Sequence, residues 1–212
     1  MSLALLHTSP AHIPVFDALR DAHHPDLALR HLVHKDLLDR AGVLGPEAVE
    51  GDVEALVTGA VADGDTAVLC TCSTIGGVAE AVGARLGVPV LRVDRPMAAD
   101  AVRAGRVTVL AAHPATLEPT RALLAQEAER AGERAAQVRT ALVDGAWERF
   151  EAGDHDGYLD LVAAAADAVT GADAIVLAQV SMAGAVTRTA TRIPVLASPR
   201  PGLAAAAAAA AR

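Results

Sequence analysis

Five short, predominantly apolar runs punctuate this chain, and they limit its fold more than anything else in it. They are LALLH from Leu3, AVLC from Ala67, VPVLRV from Val88, VTVLAA from Val107 and AIVLAQ from Ala174. A run with no polar alternation reads as a strand buried on both faces, and such strands belong to parallel sheets. Amphipathic stretches lie between them, among them PVFDALRDA, VAEAVGARLG, EPTRALLAQEAERAG and GYLDLVAAAADAV. Strands alternating with helices predict an α/β protein. RHLVH, ahead of Lys35, reads as a further strand.

The order of pieces occurs twice. LLHTSPAHIPVFDAL, from Leu5, is echoed by VLAAHPATLEPTRALL, from Val109: a strand, a Pro-Ala loop and a helix. VLCTCSTIGGV, from Val68, lies without a gap over VLAQVSMAGAV, from Val176, matching Ser73 to Ser181 and Cys72 to Val180. Both pairs recur at an offset of roughly a hundred residues, which predicts two similar halves. We therefore expect two pseudo-symmetric, doubly wound subdomains with parallel sheets: 1–96 plus 195–212, and 97–194. Ligands of open α/β sheets sit beyond the carboxyl ends of the strands. Two such halves predict a ligand cleft between them, lined by loops at Thr8-Ser9, Cys72-Ser73-Thr74, His113 to Thr116 and Gln179 to Met182.

Composition removes several functions. The net charge is −8 and aromatic residues make up 2% of the 212, against the basic stripe and stacking platforms of a nucleic-acid binder. Lys35 is the only lysine, so no other position offers a Schiff base. No G-x-G-x-x-G follows the first strand and no P-loop motif occurs. The eight histidines are scattered, and no ligand set accompanies the cysteines, so no metal is expected. The opening MSLALLHTSP is too briefly apolar for a signal peptide, and the Ala-rich tail from Leu203 is too short for a membrane span. That tail reads as a C-terminal helix. A cytoplasmic protein with free thiols is expected.

Both cysteines fall in AVLCTCSTIGGVAEAV. With one residue between them, Cys70 and Cys72 would close a strained disulfide. Cys70 reads as a buried strand residue. Cys72 sits in the loop, followed by Ser73, Thr74, Gly76 and Gly77 at a helix start. Such a start presents unpaired N–H groups and positive potential, which hold a carboxylate and lower a thiol pKa. The loop suits a small anion beside a reactive thiol.

With the first-strand loop, the C-S-T of Cys72-Ser73-Thr74, HPATLEPTRALL, VLAQVSMAG and the late IPVLASPRPGLAA, the chain resembles the Asp/Glu/hydantoin racemase superfamily along its whole length. The resemblance implies a cofactor-independent enzyme with two pseudo-symmetric halves, each giving one cysteine to the cleft. One thiolate takes the proton at the carbon α to a carboxylate, and the other thiol reprotonates the opposite face. A homodimer is implied as well. This chain departs from that pattern. The family's G-C-x-x-M-A puts Gln179 where the second cysteine belongs, and the internal repeat puts Val180 there. Neither ionises. Three readings follow: one-thiol chemistry (decarboxylation, elimination or a one-face proton shift), racemisation with a non-cysteine second base, and carboxylate binding without turnover. A two-lobed periplasmic-type binding protein is the unrelated alternative.

Cys72 is the expected acid–base group, with Ser181, His113, His7 or a water as the alternative proton donors on the other face. Thr8, Ser9, Ser73, Thr74, Thr116, Gln179 and Val180 are candidate ligand contacts. Thr8, Ser9 and Thr116 also read as helix caps. Asp94 reads as an amine partner or as the ion pair of Arg92 or Arg95. Lys35 and Arg200 read as surface or loop residues, and AQEAERAGERAAQVR as a solvated helix face. Trp147 and Phe150, one helical turn apart, read as core anchors or a dimer contact.

Overall fold

The structure, a computed structural model, describes residues 2–132 and 136–212. The first part of the chain runs β1 (Ser2–His7), α1 (Ile13–His23), β2 (Ala28–Val33), α2 (Asp36–Leu44), α3 (Glu50–Ala62), β3 (Ala67–Cys70), α4 (Gly76–Leu86) and β4 (Val90–Arg92). Then come α5 (Arg95–Ala101), β5 (Arg106–Ala111), α6 (Leu117–Ala131), β6 (Gln137–Leu142), α7 (Ala146–Glu151) and α8 (His155–Asp167). The chain ends with β7 (Ala174–Leu177), β8 (Val195–Ala197) and α9 (Pro199–Ala210).

The chain divides into two units, Met1–Pro96 with Pro199–Arg212, and Met97–Ser198. The boundary after β8 differs from the expected one near Pro194. β8 pairs in parallel with β7, so residues 195–198 stay with the second unit.

Each unit holds one four-stranded sheet with every pair parallel, in the orders β2-β1-β3-β4 and β6-β5-β7-β8. Four of the apolar runs are the inner strands, and the fifth, VPVLRV, holds the edge strand β4. Leu3 to Leu6 of β1, all of β3 and all of β7 are buried. A leucine buried this fully contributes about 1.5–3 kcal/mol. The edge strands differ. β2 is only partly buried and β6 is mostly exposed, so neither needs an apolar run. β6 overturns part of the expected helix face: α6 stops at Ala131, Gly132 adopts φ 64° as its left-handed cap, and Gln137 to Arg139 are strand. Glu133, Arg134 and Ala135 of that run lie outside the described residues.

In the first unit the Ala-rich tail forms α9, which packs on β1, β3, β4 and α1. Gly202 makes the approach possible, because a Cβ there would overlap the carbonyl oxygen of Val93. Leu203, Ala206 and Ala210 are buried beneath it. Among the described residues no helix is long and apolar enough to cross a membrane.

Candidate active site

In the first unit, β1 and β3 lie side by side and end together. Thr71 N–H donates to Leu6 O at 2.9 Å just past the end of β3, and the next residue is Cys72. Cys72 is 7% exposed, with Ser73 and Thr74 buried beside it. Cys70, inside the strand, is fully buried, and its thiol donates to Cys72 O at 3.6 Å. Burial, with Cys72 adding to it, pushes the Cys70 thiol far up, so Cys70 stays a neutral packing residue. At the end of β1, Ser9 caps a 3-10 turn over Pro10–His12, its Oγ accepting from Ala11 N–H at 3.3 Å. Thr8 is buried and His7 wholly so. His7 Nδ1 lies 2.7 Å from Thr71 Oγ1, and burial, with His12 and His31 adding to it, holds His7 down to about 3. His7 is therefore a neutral ring rather than a standing proton donor.

A buried ion pair props up the Cys72 loop. Arg92 grips Asp94 through two bonds of 2.6 and 2.9 Å, and its Nη2 donates to Ser73 O at 3.3 Å. Burial opposes the charge on Arg92, but Asp94 outweighs it and the pKa stays raised. Asp94 thus serves Arg92, whereas Arg95 pairs with Glu80. Gly76 opens α4 over this pair, where a Cβ would stand 2.9 Å from the Arg92 Cβ.

The second unit repeats the frame with other chemistry. Ala178 N–H donates to Leu110 O at 3.0 Å, as Thr71 does to Leu6, and Gln179 follows. The strand register agrees: Leu3 faces Ala67 as Val107 faces Ala174. Cys72 therefore corresponds to Gln179, and the gapless repeat that pairs it with Val180 is one residue out. The repeat matched Ser73 to Ser181 across loops of different length, while the ladder fixes the true counterpart. Val180 is buried and opens a 3-10 segment, Val180–Arg188, where the first unit has α4.

Gln179 does not reach out as a free side chain. Its Oε1 accepts from Ala112 N–H at 2.7 Å and His113 N–H at 3.1 Å. His113 caps the 3-10 turn Pro114–Thr116 as Ser9 caps its own, its Nδ1 accepting from Ala115 N–H at 3.2 Å. The His113 ring stands edge-on to Trp147 at 4.6 Å, and Trp147 stacks on Phe150 at 5.2 Å. Thr116 is buried at the foot of α6 and makes no side-chain cap there. Ser181 Oγ lies 2.8 Å from the hydroxyl of Tyr158, whose pKa burial pushes well up, the Ser181 bond opposing. Lys35 and Arg200 are exposed.

The amides of Thr8 and Ser9 are the counterparts of those of Ala112 and His113. Among the described residues no side chain fills them as Gln179 fills the second pair. The second unit thus displays what such an amide pair binds: an oxygen of a carbonyl or carboxylate. Sequence reasoning missed Thr71, His12, His31 and Tyr158. Tyr158, the only tyrosine, stood in a quoted helix, and its rarity was the available signal. Among the described residues no group of three or more His, Cys, Asp or Glu is placed to hold a metal.

No family model matches the sequence, and no curated protein does. Solved structures do match. A glutamate racemase of Thermus thermophilus, in complex with beta-chloro-D-alanine, superposes with a TM-score of 0.75 at 18% identity, over 99% of this chain and 80% of that one. The aspartate racemase of Picrophilus torridus gives 0.67 at 13% identity, over 99% and 94%. A cysteine-substituted mutant of arylmalonate decarboxylase, in its sulfate ion associated form, gives 0.65 at 19% identity, over 100% and 94%. These likenesses establish the fold, that of the Asp/Glu racemases.

Proposed function

We propose, from a fold shared with Asp/Glu racemases and an arylmalonate decarboxylase, that this chain is a cofactor-independent enzyme that transfers a proton at the carbon α to a carboxylate. Cys72 is its acid–base group, and the chemistry uses one thiol: decarboxylation, elimination or a one-face proton shift. The observation that carries this reading is the strand-equivalent pair Cys72 and Gln179. The first can ionise, and the second is a neutral amide held by two backbone N–H groups.

One oxygen of the substrate carboxylate takes the amides of Thr8 and Ser9, as Gln179 Oε1 takes those of Ala112 and His113. The hydroxyls of Ser73 and Thr74 border the thiol. In a decarboxylation the bond from Cα to the departing carboxylate breaks and its electron pair stays on Cα, delocalised into the retained carboxylate. Cys72 S–H gives its proton to that carbon, and the thiolate regains one from solvent. A positioned acid of this kind contributes about 10²–10⁴-fold. Ser181 and His113 are poor second bases. The Ser181 oxygen is bonded to a tyrosine held neutral, and His113 Nδ1 is occupied by the backbone.

Proton NMR in D₂O tests the reading with aspartate, glutamate, a hydantoin and an α-substituted malonate, beside Cys72→Ala. Deuterium entering Cα with the native chain and not with the variant supports it, and CO₂ loss selects decarboxylation. Inversion at Cα would turn the reading to racemisation with a second base. Exchange that persists in Cys72→Ala would sink it, and binding without exchange across the panel would leave a carboxylate-binding protein.

A further inference from the structure

Five side chains of the first unit form an unbroken line of hydrogen bonds that the chemistry above does not use. Asp17 Oδ1 on α1 lies 3.2 Å from His31 Nε2 on β2, and His31 Nδ1 lies 2.8 Å from His7 Nε2. His7 Nδ1 lies 2.7 Å from Thr71 Oγ1, which lies 3.3 Å from His12 Nδ1 in the turn after β1. The pairing of β1 with β2 sets His31 opposite Leu5 and stacks its ring on His7 at 5.1 Å. The Asp17 side chain is 39% exposed and that of His31 16%, while His7, Thr71 and His12 are buried. The line therefore runs from solvent to the residue before Cys72.

With the Thr71 hydroxyl turned to a histidine, this line has two states. Thr71 has one hydroxyl proton and three acceptors in reach: His7 Nδ1, His12 Nδ1 and, at 3.2 Å, Leu6 O. Leu6 O also receives the Thr71 N–H, so it keeps a partner when the hydroxyl turns to a histidine. An ionised Asp17 only accepts, so His31 Nε2 carries a proton. In the first state His12 Nδ1–H donates to Thr71, Thr71 to His7 Nδ1, His7 Nε2–H to His31 Nδ1, and His31 Nε2–H to Asp17. In the second, every bond from His12 to His31 is reversed. His31 then bears both ring protons against Asp17, and His12 holds its proton on Nε2. The second state holds one proton more than the first, and passing from it to the first delivers that proton at the His12 end.

We infer that Asp17, His31, His7, Thr71 and His12 form a proton relay between solvent and the turn beside the Cys72 loop. Its use rests on the proton-transfer reading above, in which a spent thiolate must be reprotonated. A proton entering at His31 passes to His7 Nε2, displaces the His7 Nδ1 proton to Thr71, moves the Thr71 hydroxyl proton to His12 Nδ1, and frees the His12 Nε2 proton. Nothing else is consumed. Burial holds His7 down to about 3 and His12 to about 4, so a proton does not come to rest on either ring. The groups facing His31 are His7 from β1 and Asp17 from α1, and Asp17 also lies 3.5 Å from Arg20.

The test is histidine tautomer mapping by long-range proton–nitrogen NMR on the full chain, without ligand, from about pH 8 to about pH 5. Across that range His7 should exchange Nε2–H for Nδ1–H and His12 Nδ1–H for Nε2–H, both with one midpoint. Thr71→Val should take His12 out of that shared midpoint, and Thr71→Ser should restore it. Asp17→Asn, at a partly exposed site, should move both midpoints together to lower pH. A His7 ring that keeps one tautomer throughout overturns the relay. So does a shared midpoint that survives Thr71→Val, or an Asp17→Asn shift that reaches His7 and not His12. With no ligand present, any of these results leaves the deuterium test standing. Failure of the deuterium test would remove the use of the relay and not the relay itself.

Discussion

The loops that follow β3 and β7 occupy the same place in two copies of one topology, and they have been put to opposite uses. Both begin with an amide donating to the neighbouring strand, Thr71 to Leu6 and Ala178 to Leu110. Beyond that the first unit places a thiol, hydroxyls and histidines over a buried ion pair. The second seals its amide pair with Gln179 and lines the surroundings with Trp147, Phe150 and Tyr158. The strand ladder shows the same division beneath the loops: Arg92 faces Cys70 where Ala197 faces Leu177. A shared backbone fixes where a ligand oxygen can be bound. The side chain at one register position decides whether the protein or a ligand supplies it.

The contrast breaks most severely at Arg92. Arg92→Ala leaves Asp94 buried without its partner and withdraws a donor from Ser73 O. Losing one member of a buried pair costs about 3–5 kcal/mol, a large part of the ~5–15 kcal/mol that holds a domain folded. Urea unfolding should show the loss. The double variant Arg92→Ala with Asp94→Ala should recover much of it, and a double variant no more stable than the single one would show that packing over Gly76 is what matters.

Acid should separate the units next. His7 and His12 have folded pKa values of about 3 and 4 against an ordinary 6.5, lowered first by burial. Below pH 6.5 the unfolded chain therefore binds protons that the folded chain refuses. Their contribution is complete above that value and is lost as pH falls toward 4 and 3. By about pH 5 each accounts for roughly 2 kcal/mol. The second unit has Ala111 and Thr116 at the equivalent positions, so amide exchange at pH 5 should quicken in β1 and β3 before β5 and β7. Equal loss in both sheets would refute the assignment of the acid sensitivity to these two rings.

The sequence disclosed the inner strands and the Cys72 loop because burial on both faces writes itself as an unbroken apolar run. It disclosed Cys70 as a packing residue for the same reason. It could not disclose β6, whose exposed faces demand no pattern, and QVRTAL read as the end of a charged helix. The true counterpart of Cys72 also stayed hidden. Ser73 and Ser181 matched by type, but only the ladder counts residues from the strand end. The histidine line was invisible for a related reason: the parallel pairing of β1 with β2 brings His31 to His7, Thr71 past the end of β3 bridges His7 to His12, and a scattered count carries no trace of register.

Gln179→Ala makes the smallest of the three changes and sharpens the comparison most. Removing the carboxamide withdraws the acceptor of the Ala112 and His113 N–H groups beside a buried strand end, at a cost of about 1–3 kcal/mol. It also turns the second unit's amide pair into what the first unit already has. Added acetate should then raise the melting temperature of Gln179→Ala more than that of the native chain, because a carboxylate can take the vacated position and binding to the folded state stabilises it. The native chain should still gain something from acetate at the amides of Thr8 and Ser9. If both respond alike, Gln179 is only a loop brace. If the variant alone responds, the first pair of amides is closed to carboxylates, and the ligand end of the proton-transfer reading fails with it.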